Sequence, residues 1–365
     1  MKNPPRTRCL RQLAVLAVAL GGGVGCRHIG PDTILDDRVA YNDAILTTWK
    51  QQTLLNVVRT RYGDIPEFVE VPSIVNGFEH SRSVNGSFGS NILPNNSLLN
   101  ALTLGVGGNR TVSDRPTVTY LPQTGNEFTR NLMNPLPPST VLNLIESGYP
   151  ADVVLELTVE SINGVRNLGF TGGLQTEDPA FQQVLHTLKK AQESGYVSLR
   201  VKPGGDKAHP DVLMSIRRTD IPPELAEELA QMRRLLRMDP EVTEFKIVYG
   251  MLPAAKDEIA FRTRSIRKVF NYLALQVRVP EAHVVEGRAP NIPVPAATEQ
   301  PQFTVHSGCE PPCDSFTAVQ YRGYWFWVDD TDFNSKRTMN YLKVLLALAN
   351  ADLKEAAPLL TIRAN

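Results

Sequence analysis

Apolar residues follow two different periods along this chain, and the order in which the two periods occur restricts its fold most strongly. Between residues 36 and 62 they recur every three to four positions, as in an amphipathic helix, and Gly63 is the predicted end. In residues 152–161 and 197–216 they alternate with polar residues, as in half-buried strands. Because helical and alternating segments are interleaved, the sequence predicts an α+β fold with mixed, mostly antiparallel sheets and packed helices.

Signals for the ends of helices are clearest in the second half of the chain. Asp178 is a predicted N-cap, with Pro179 in the first turn and Gly195 just beyond the end of the helix. Thr263 is the predicted cap of a later helix. The chain ends with three predicted strands at residues 303–306, 316–321 and 324–328 and a helix at residues 335–350.

Residues 83–109 form a 27-residue stretch that contains no Lys, Arg, Asp or Glu. Alternation at residues 101–106 and 117–120 predicts a long hairpin with residues 107–115 near its tip. Charge on an exposed strand normally keeps its edge from pairing with other chains, and here it is missing. Three interpretations stay open: packing on the protein's own sheet, a contact between subunits, or one hairpin of an oligomeric outer-membrane pore.

The first residues of the chain predict export and lipidation. A basic start with Lys2 and Arg6 is followed by an apolar core at residues 13–20, then by glycines and Cys26. This order is typical of a secretory signal and is far too short to span a membrane. It predicts a lipoprotein that is cleaved before Cys26 and carries fatty acyl chains, palmitate among them, on that cysteine. Gly23 stands where the lipoprotein pattern usually has leucine, so an ordinary signal peptide cut nearby is the alternative.

The predicted anchor also indicates a location. Two or more acyl chains hold a protein stably at a membrane, whereas one chain does so only reversibly. Arg27, and not an aspartate, follows Cys26, which favours the outer membrane with the globular part facing the periplasm. The predicted location is therefore the cell envelope, with the membrane as a partner through the lipid.

Cleavage before Cys26 leaves 340 of the 365 residues, which favours two lobes over one core. The predicted segments are a signal peptide at residues 1–25, an N-terminal α+β lobe with the uncharged hairpin at 26–168, a middle α+β segment at 169–288, a proline-rich linker at 289–302, and C-terminal strands plus a helix at 303–365. The signal peptide carries four of the 38 basic residues and no acidic one, so the mature net charge is −4. A mildly acidic chain gives no electrostatic reason to expect nucleic acid as a partner.

Cys309 and Cys313 are separated by three residues, two of them prolines. In an oxidising compartment this spacing predicts a disulfide that braces a short loop. His306 lies three residues before Cys309, so a His-Cys-Cys metal site is the alternative, although no fourth ligand is visible in the sequence.

Asp330-x-Asp332-x-Asn334 matches the start of a calcium-binding loop. Ser335 replaces the required glycine, and Tyr341 stands at position twelve where a glutamate is needed. The other interpretation is that these carboxylates lie before the last helix, accept hydrogen bonds from its free N–H groups and suit its dipole.

The sequence contains no recognisable catalytic or cofactor motif. It has no G-x-S-x-G, no His pair at zinc spacing and no complete dinucleotide-binding glycine loop. The expectation is a non-enzymatic, lipid-anchored binding or assembly component without a cofactor, whose partner is another protein or a further copy of the chain. The alternatives are a subunit of an oligomeric outer-membrane assembly or pore, and a periplasmic hydrolase around Asp329, Asp330 and Asp332.

Three stretches, residues 41–71, 115–149 and 321–338, resemble a family of bacterial lipoproteins with no established activity. With the segments between them, the resemblance covers nearly all of the mature chain. It implies a lipid-anchored protein, and it brings neither an activity nor catalytic residues to this sequence.

Overall fold

The computed structural model describes residues 31–90, 102–167, 169–171, 174–176, 178–202, 211–217, 219–292 and 302–349. The first helix is α1 (Pro31–Arg61), and the chain turns after it at Gly63, whose φ of 78° suits glycine. The other helices are α2 (Asn126–Met133), α3 (Pro138–Glu146), α4 (Ala151–Thr158), α5 (Pro179–Glu193), α6 (Pro223–Leu235), α7 (Ile266–Ala274), α8 (Glu281–Val285) and α9 (Phe333–Ala349). The strands are β1 (Val69–Ser90), β2 (Leu102–Pro122), β3 (Val159–Ile162), β4 (Val165–Arg166), β5 (Gly169–Thr171), β6 (Leu174–Thr176), β7 (Val197–Lys202), β8 (Asp211–Ile216), β9 (Glu244–Tyr249), β10 (Glu258–Thr263), β11 (His306–Gly308), β12 (Ser315–Tyr321) and β13 (Tyr324–Asp329).

The largest sheet contains six strands in the order β4-β3-β10-β9-β8-β7. Strands β9 and β10 are parallel, with Ile259 opposite Ile247, and the other neighbours are antiparallel. Smaller sheets have the orders β11-β13-β12, β5-β6 and β1-β2. Helices are interleaved with mostly antiparallel strands, so the predicted α+β class is confirmed.

The described chain divides into two compact units. The first unit comprises residues 31–46 and 71–120, and the second comprises residues 47–70 and those from 121 onward. Nearly all of the β1–β2 hairpin therefore belongs to the first unit, whereas the other sheets and helices α2 to α9 belong to the second.

The core of the second unit is one continuous cluster of buried apolar side chains. Burying each large side chain of this kind contributes roughly 1.5–3 kcal/mol. Its largest fully buried members come from α5, β9, α7, the chain before β11, β13 and α9 and are Phe181, Phe245, Phe270, Phe303, Phe326 and Tyr341. Because Phe326 belongs to the same cluster, the C-terminal strands share this core and do not form a separate one.

Several predicted elements agree with the structure. Asp178 caps α5 by accepting a hydrogen bond from the backbone N–H of Ala180 at 2.9 Å, and Pro179 is the first helical residue. Strands β7 and β8 form the predicted antiparallel hairpin. Both patterns are local, since a cap and a hairpin need only neighbours in the chain.

The strand predicted at residues 152–161 is wrong over most of its length. Residues 151–158 form helix α4, and only the last residues enter strand β3. Helix α4 packs against α3, α5 and α7, and apolar residues are buried on several of its sides. A short apolar run of this kind cannot be assigned to helix or strand by periodicity alone, because burial all round removes the single apolar stripe.

Two boundaries also differ from the predictions. Residues 107–115 lie within strand β2 and not at a hairpin tip, since β1 ends at Ser90 and β2 begins at Leu102. Thr263 ends strand β10, and the N-cap of α7 is Ser265, which accepts from the N–H of Lys268. Thr263 instead donates its hydroxyl proton to the carbonyl of Leu136.

The predicted boundary at residue 168 crosses the six-stranded sheet. Strand β3 precedes it and strand β10 follows it, yet Phe261 pairs with Ile162. The start of the predicted linker packs on the second unit, since Ala289 is buried and the carbonyl of Ile292 accepts a hydrogen bond from Arg61.

Candidate functional site

Asp332 serves as the N-cap of helix α9. Its carboxylate accepts hydrogen bonds from the backbone N–H of Ser335 at 3.0 Å and from the Ser335 hydroxyl at 2.5 Å. The same hydroxyl accepts from the N–H of Thr304 at 2.8 Å, so the cap also ties the helix to the chain before β11. This is the arrangement that the capping interpretation of the Asp-rich segment predicts.

The neighbouring polar residues are held by different partners. Asp329 accepts from the N–H and hydroxyl of Thr331, which lowers the pKa of the Asp329 carboxyl. Asp330 pairs with the ammonium of Lys336 at 2.9 Å, and Asn334 accepts from Arg337 at 3.3 Å. Among the residues that the structure describes, no three His, Cys, Asp or Glu side chains converge as metal ligands.

The Cys309–Cys313 loop presents two exposed thiols that are not bridged in the structure. The disulfide therefore stays a prediction about the exported, oxidised protein. His306 stacks on Trp327 with 5.8 Å between ring centroids, and burial lowers the pKa of its imidazole. Packing against an indole explains His306 without a metal. Cys26 and the signal segment lie outside the described residues.

The β1–β2 hairpin is a sheet of two long strands, with 22 and 21 residues. At its base the N–H of Gln123 donates to the carbonyl of Phe68 at 2.8 Å, which sets the start of β1 beside the end of β2 as in an antiparallel hairpin. Within the described ranges, β1 and β2 pair with each other and with no other strand. Each strand therefore has a second edge that its own described chain does not cover.

A cavity of about 460 Å³ lies in the second unit, between the β3–β4 hairpin, strand β10, helix α7 and the end of α1. Its apolar lining includes Met251, Leu275 and Ile292. Its charged lining is mostly basic and consists of Arg61, Arg166, Arg262, Arg264, Lys268 and one carboxylate, Glu160.

The charges on the cavity wall are partly paired. Glu160 accepts from Arg262 at 3.3 Å and from Lys268 at 2.7 Å. Arg264 donates to the carbonyls of Glu156 and Leu157, and it lies 4.4 Å from the centroid of the Tyr272 ring. Burial lowers the pKa of Arg264 to about 10, and Tyr272, Glu160 and Glu156 act in the opposite direction.

Only a weak local signal for this cavity is present in the sequence. Its basic residues come from three separate parts of the chain, which are the end of α1, strand β4 and the segment from β10 to α7. The local signal is the run Arg262-x-Arg264 followed by Lys268, and on a surface such a run is an ordinary solvated face. Only the folded sheet brings Arg61 and Arg166 to the same place.

Comparisons with protein-family models, with curated proteins and with solved structures found no match to this chain. The resemblance to a lipoprotein family, carried by residues 41–71, 115–149 and 321–338, stays a prediction. A search of the described helices for one both long and apolar enough to cross a membrane found none.

Proposed function

We propose that this protein is a lipid-anchored, non-enzymatic component of the bacterial envelope that assembles with further copies of itself through the β1–β2 hairpin. The observation that carries the proposal is the hairpin, with its 22- and 21-residue strands and the outer edges that no described strand covers. An isolated two-stranded hairpin is marginally stable in water, and a third strand or a packed face is normally needed.

The sequence of the hairpin supports a second copy as the occupant of those edges. Residues 83–109 carry no charge, so the part of the hairpin near its connection lacks the residues that keep edge strands apart. Identical strands from neighbouring copies supply the missing backbone donors and acceptors, and symmetric association is the common form of protein oligomers. The predicted lipid on Cys26 concentrates copies on one membrane surface.

The two alternatives have less support. A hydrolase would need Asp329, Asp330 and Asp332 to face a common point, but each of them accepts from a different local partner. An outer-membrane pore agrees with strands that exceed the roughly 9–11 residues needed to cross a bilayer. The pore alternative also requires that the assembled hairpins conduct ions.

The oligomeric state of the mature lipoprotein tests the proposal. We expect the wild type to form oligomers in detergent, and the double variant Leu104→Asp/Val106→Asp to be monomeric because like charges would face each other between copies. Light scattering coupled to size exclusion measures the mass. The melting temperature of the second unit should change little, since both substitutions lie in the first unit.

A second variant uses the alternate positions of the same strand. Thr103→Asp/Gly105→Asp adds the same charge on the opposite face of β2, and it should also be monomeric because edge-to-edge pairing brings cross-strand neighbours together on both faces. A wild-type protein that stays monomeric in detergent would refute the proposal. Planar-bilayer conductance of the wild type, lost in the Leu104→Asp/Val106→Asp variant, would favour the pore alternative.

A further inference from the structure

Two residues that line the cavity each contain a buried polar atom without a hydrogen-bond partner in the described chain. These atoms are Nη1 of Arg61 and Oγ of Ser161. The side chains belong to residues that are 5% and 2% exposed. Buried polar groups are almost always hydrogen-bonded, so two such atoms in residues that line one cavity need an explanation.

Arg61 is the more informative of the two because it carries a charge. Its Nε and Nη2 donate to the carbonyls of Val277 and Ile292, both at 3.4 Å, which is long for a hydrogen bond. In the described part of the chain no carboxylate forms an ion pair with it, although nearby Arg59 pairs with Glu67. Burial lowers the pKa of the Arg61 guanidinium. A buried cation without a counter-charge is unfavourable unless a ligand supplies one.

The other charged side chains that line the cavity are also mostly positive. Five cationic side chains line the cavity against the single carboxylate of Glu160, which Arg262 and Lys268 already share. This surplus of positive charge favours an anion as the occupant of the cavity.

We propose that this cavity is a binding site for a small organic anion, with its carboxylate or phosphate group beside Arg61 and its apolar body against Met251, Leu275 and Ile292. A guanidinium group suits both head groups, because its planar N–H donors match carboxylate and phosphate oxygens. The volume of about 460 Å³ is within the range of small-molecule sites. The site lies in the second unit and does not depend on the proposed self-assembly.

Matched probes test the charge and the residue together. Benzoate, phenyl phosphate and the neutral amide benzamide are titrated by calorimetry into the full-length mature lipoprotein in detergent. We expect at least one of the two anions to bind about tenfold or more tighter than benzamide. Arg61→Met should lower the affinity for that anion by about tenfold or more and leave the affinity for benzamide unchanged. The tighter of the two anions distinguishes a carboxylate site from a phosphate site.

Controls separate a lost site from a lost fold. Arg234→Met removes an exposed arginine of α6 outside the cavity lining and should leave anion binding unchanged. Arg262→Met alters the partly exposed rim of the cavity and should lower the affinity for the anion by about threefold. This variant keeps the proposal testable if Arg61→Met does not fold. The proposal is overturned if neither anion binds at about 10 mM, if benzamide binds equally well, or if folded Arg61→Met binds the anion as tightly as the wild type.

Discussion

Tyr62 and His283 form a buried hydrogen bond that joins the end of α1 to α8. The Tyr62 hydroxyl lies 2.6 Å from Nδ1 of His283, and burial raises the pKa of Tyr62 to about 12. The Tyr62 ring also makes edge contacts with Tyr321 and Phe326. Single residues of this kind hold distant parts of the second unit together, and their protonation states affect its stability.

Acidification should destabilise the protein through His283. Burial, followed by the positive charge of Arg288, lowers the pKa of this imidazole below 6.5, while Glu286 opposes the shift. The unfolded chain therefore takes up a proton near pH 6.5 that the folded protein resists, so stability is full above that pH and falls as the pH drops through it. Thermal melting between about pH 7.5 and 5.5 measures the loss.

His283→Asn isolates this contribution, because the amide can replace Nδ1 as a hydrogen-bonding group and does not titrate. Its melting temperature should depend less on pH than that of the wild type. His186→Asn, at an exposed position of α5, should leave the slope unchanged. Equal slopes in all three proteins would contradict the assignment.

The two exposed thiols give a second prediction at this scale. We expect Cys309 and Cys313 to be bridged in the exported protein because of their spacing and compartment. The unreduced mature chain should then take up no alkylating reagent at either residue, as mass spectrometry of the peptides would show. Cys313→Ser should reduce stability by less than the roughly 3 kcal/mol expected for a 15-residue loop. Two alkylated cysteines would exclude the bridge and return attention to His306 as a metal ligand.

At the scale of elements, the start of α9 shows how one carboxylate fixes a helix. Asp332 accepts from the N–H of Ser335, which has no partner inside the helix, and the Ser335 hydroxyl holds the N–H of Thr304. Asp330 is more exposed and forms an ion pair with Lys336. Asp332 should therefore contribute more to the stability of α9 than Asp330 does, although the two aspartates belong to the same motif.

Asp332→Ala should lower the free energy of unfolding by about 1 kcal/mol, the usual effect of losing an N-cap. Asp330→Ala is the matched control and should change it by less than about 0.5 kcal/mol, because its ion pair is exposed. Urea denaturation measures both values. Calcium that raises the wild-type melting temperature but not that of Asp332→Ala would support the calcium-loop interpretation instead.

At the scale of the whole molecule, the proposals assign separate roles to the predicted anchor and to the two units. The lipid on Cys26 would hold the chain at a membrane, the first unit carries the hairpin, and the second carries the cavity. Changes to one unit should leave the function of the other measurable.

The anchor itself is tested by Cys26→Ala. We expect the wild type to incorporate labelled fatty acid and to sediment with membranes, and the variant to do neither, because stable attachment needs two or more acyl chains. Anion binding by the cavity should persist in the variant. Equal labelling or equal release of the two proteins would rule out lipidation at Cys26.

The sequence by itself determined the α+β class and the elements with strong local signals. The cap at Asp178, the β7–β8 hairpin and α1 follow from interactions between near neighbours in the chain, and the structure contains all three. The Asp330-x-Asp332-x-Asn334 segment was predicted with both of its interpretations, and the structure supplies the capping hydrogen bond.

Only the tertiary structure decided the helix at residues 151–158 and the cavity. Helix α4 packs against three other helices, so apolar residues are buried on several of its sides. Some of them stand at alternate positions, and the sequence pattern therefore resembles that of a strand. Arg61, Arg166 and Arg264 all line the cavity, although Arg61 precedes the other two by more than a hundred residues. A sequence pattern reports neighbours along the chain, whereas burial and shared charge depend on which distant segments the fold brings together.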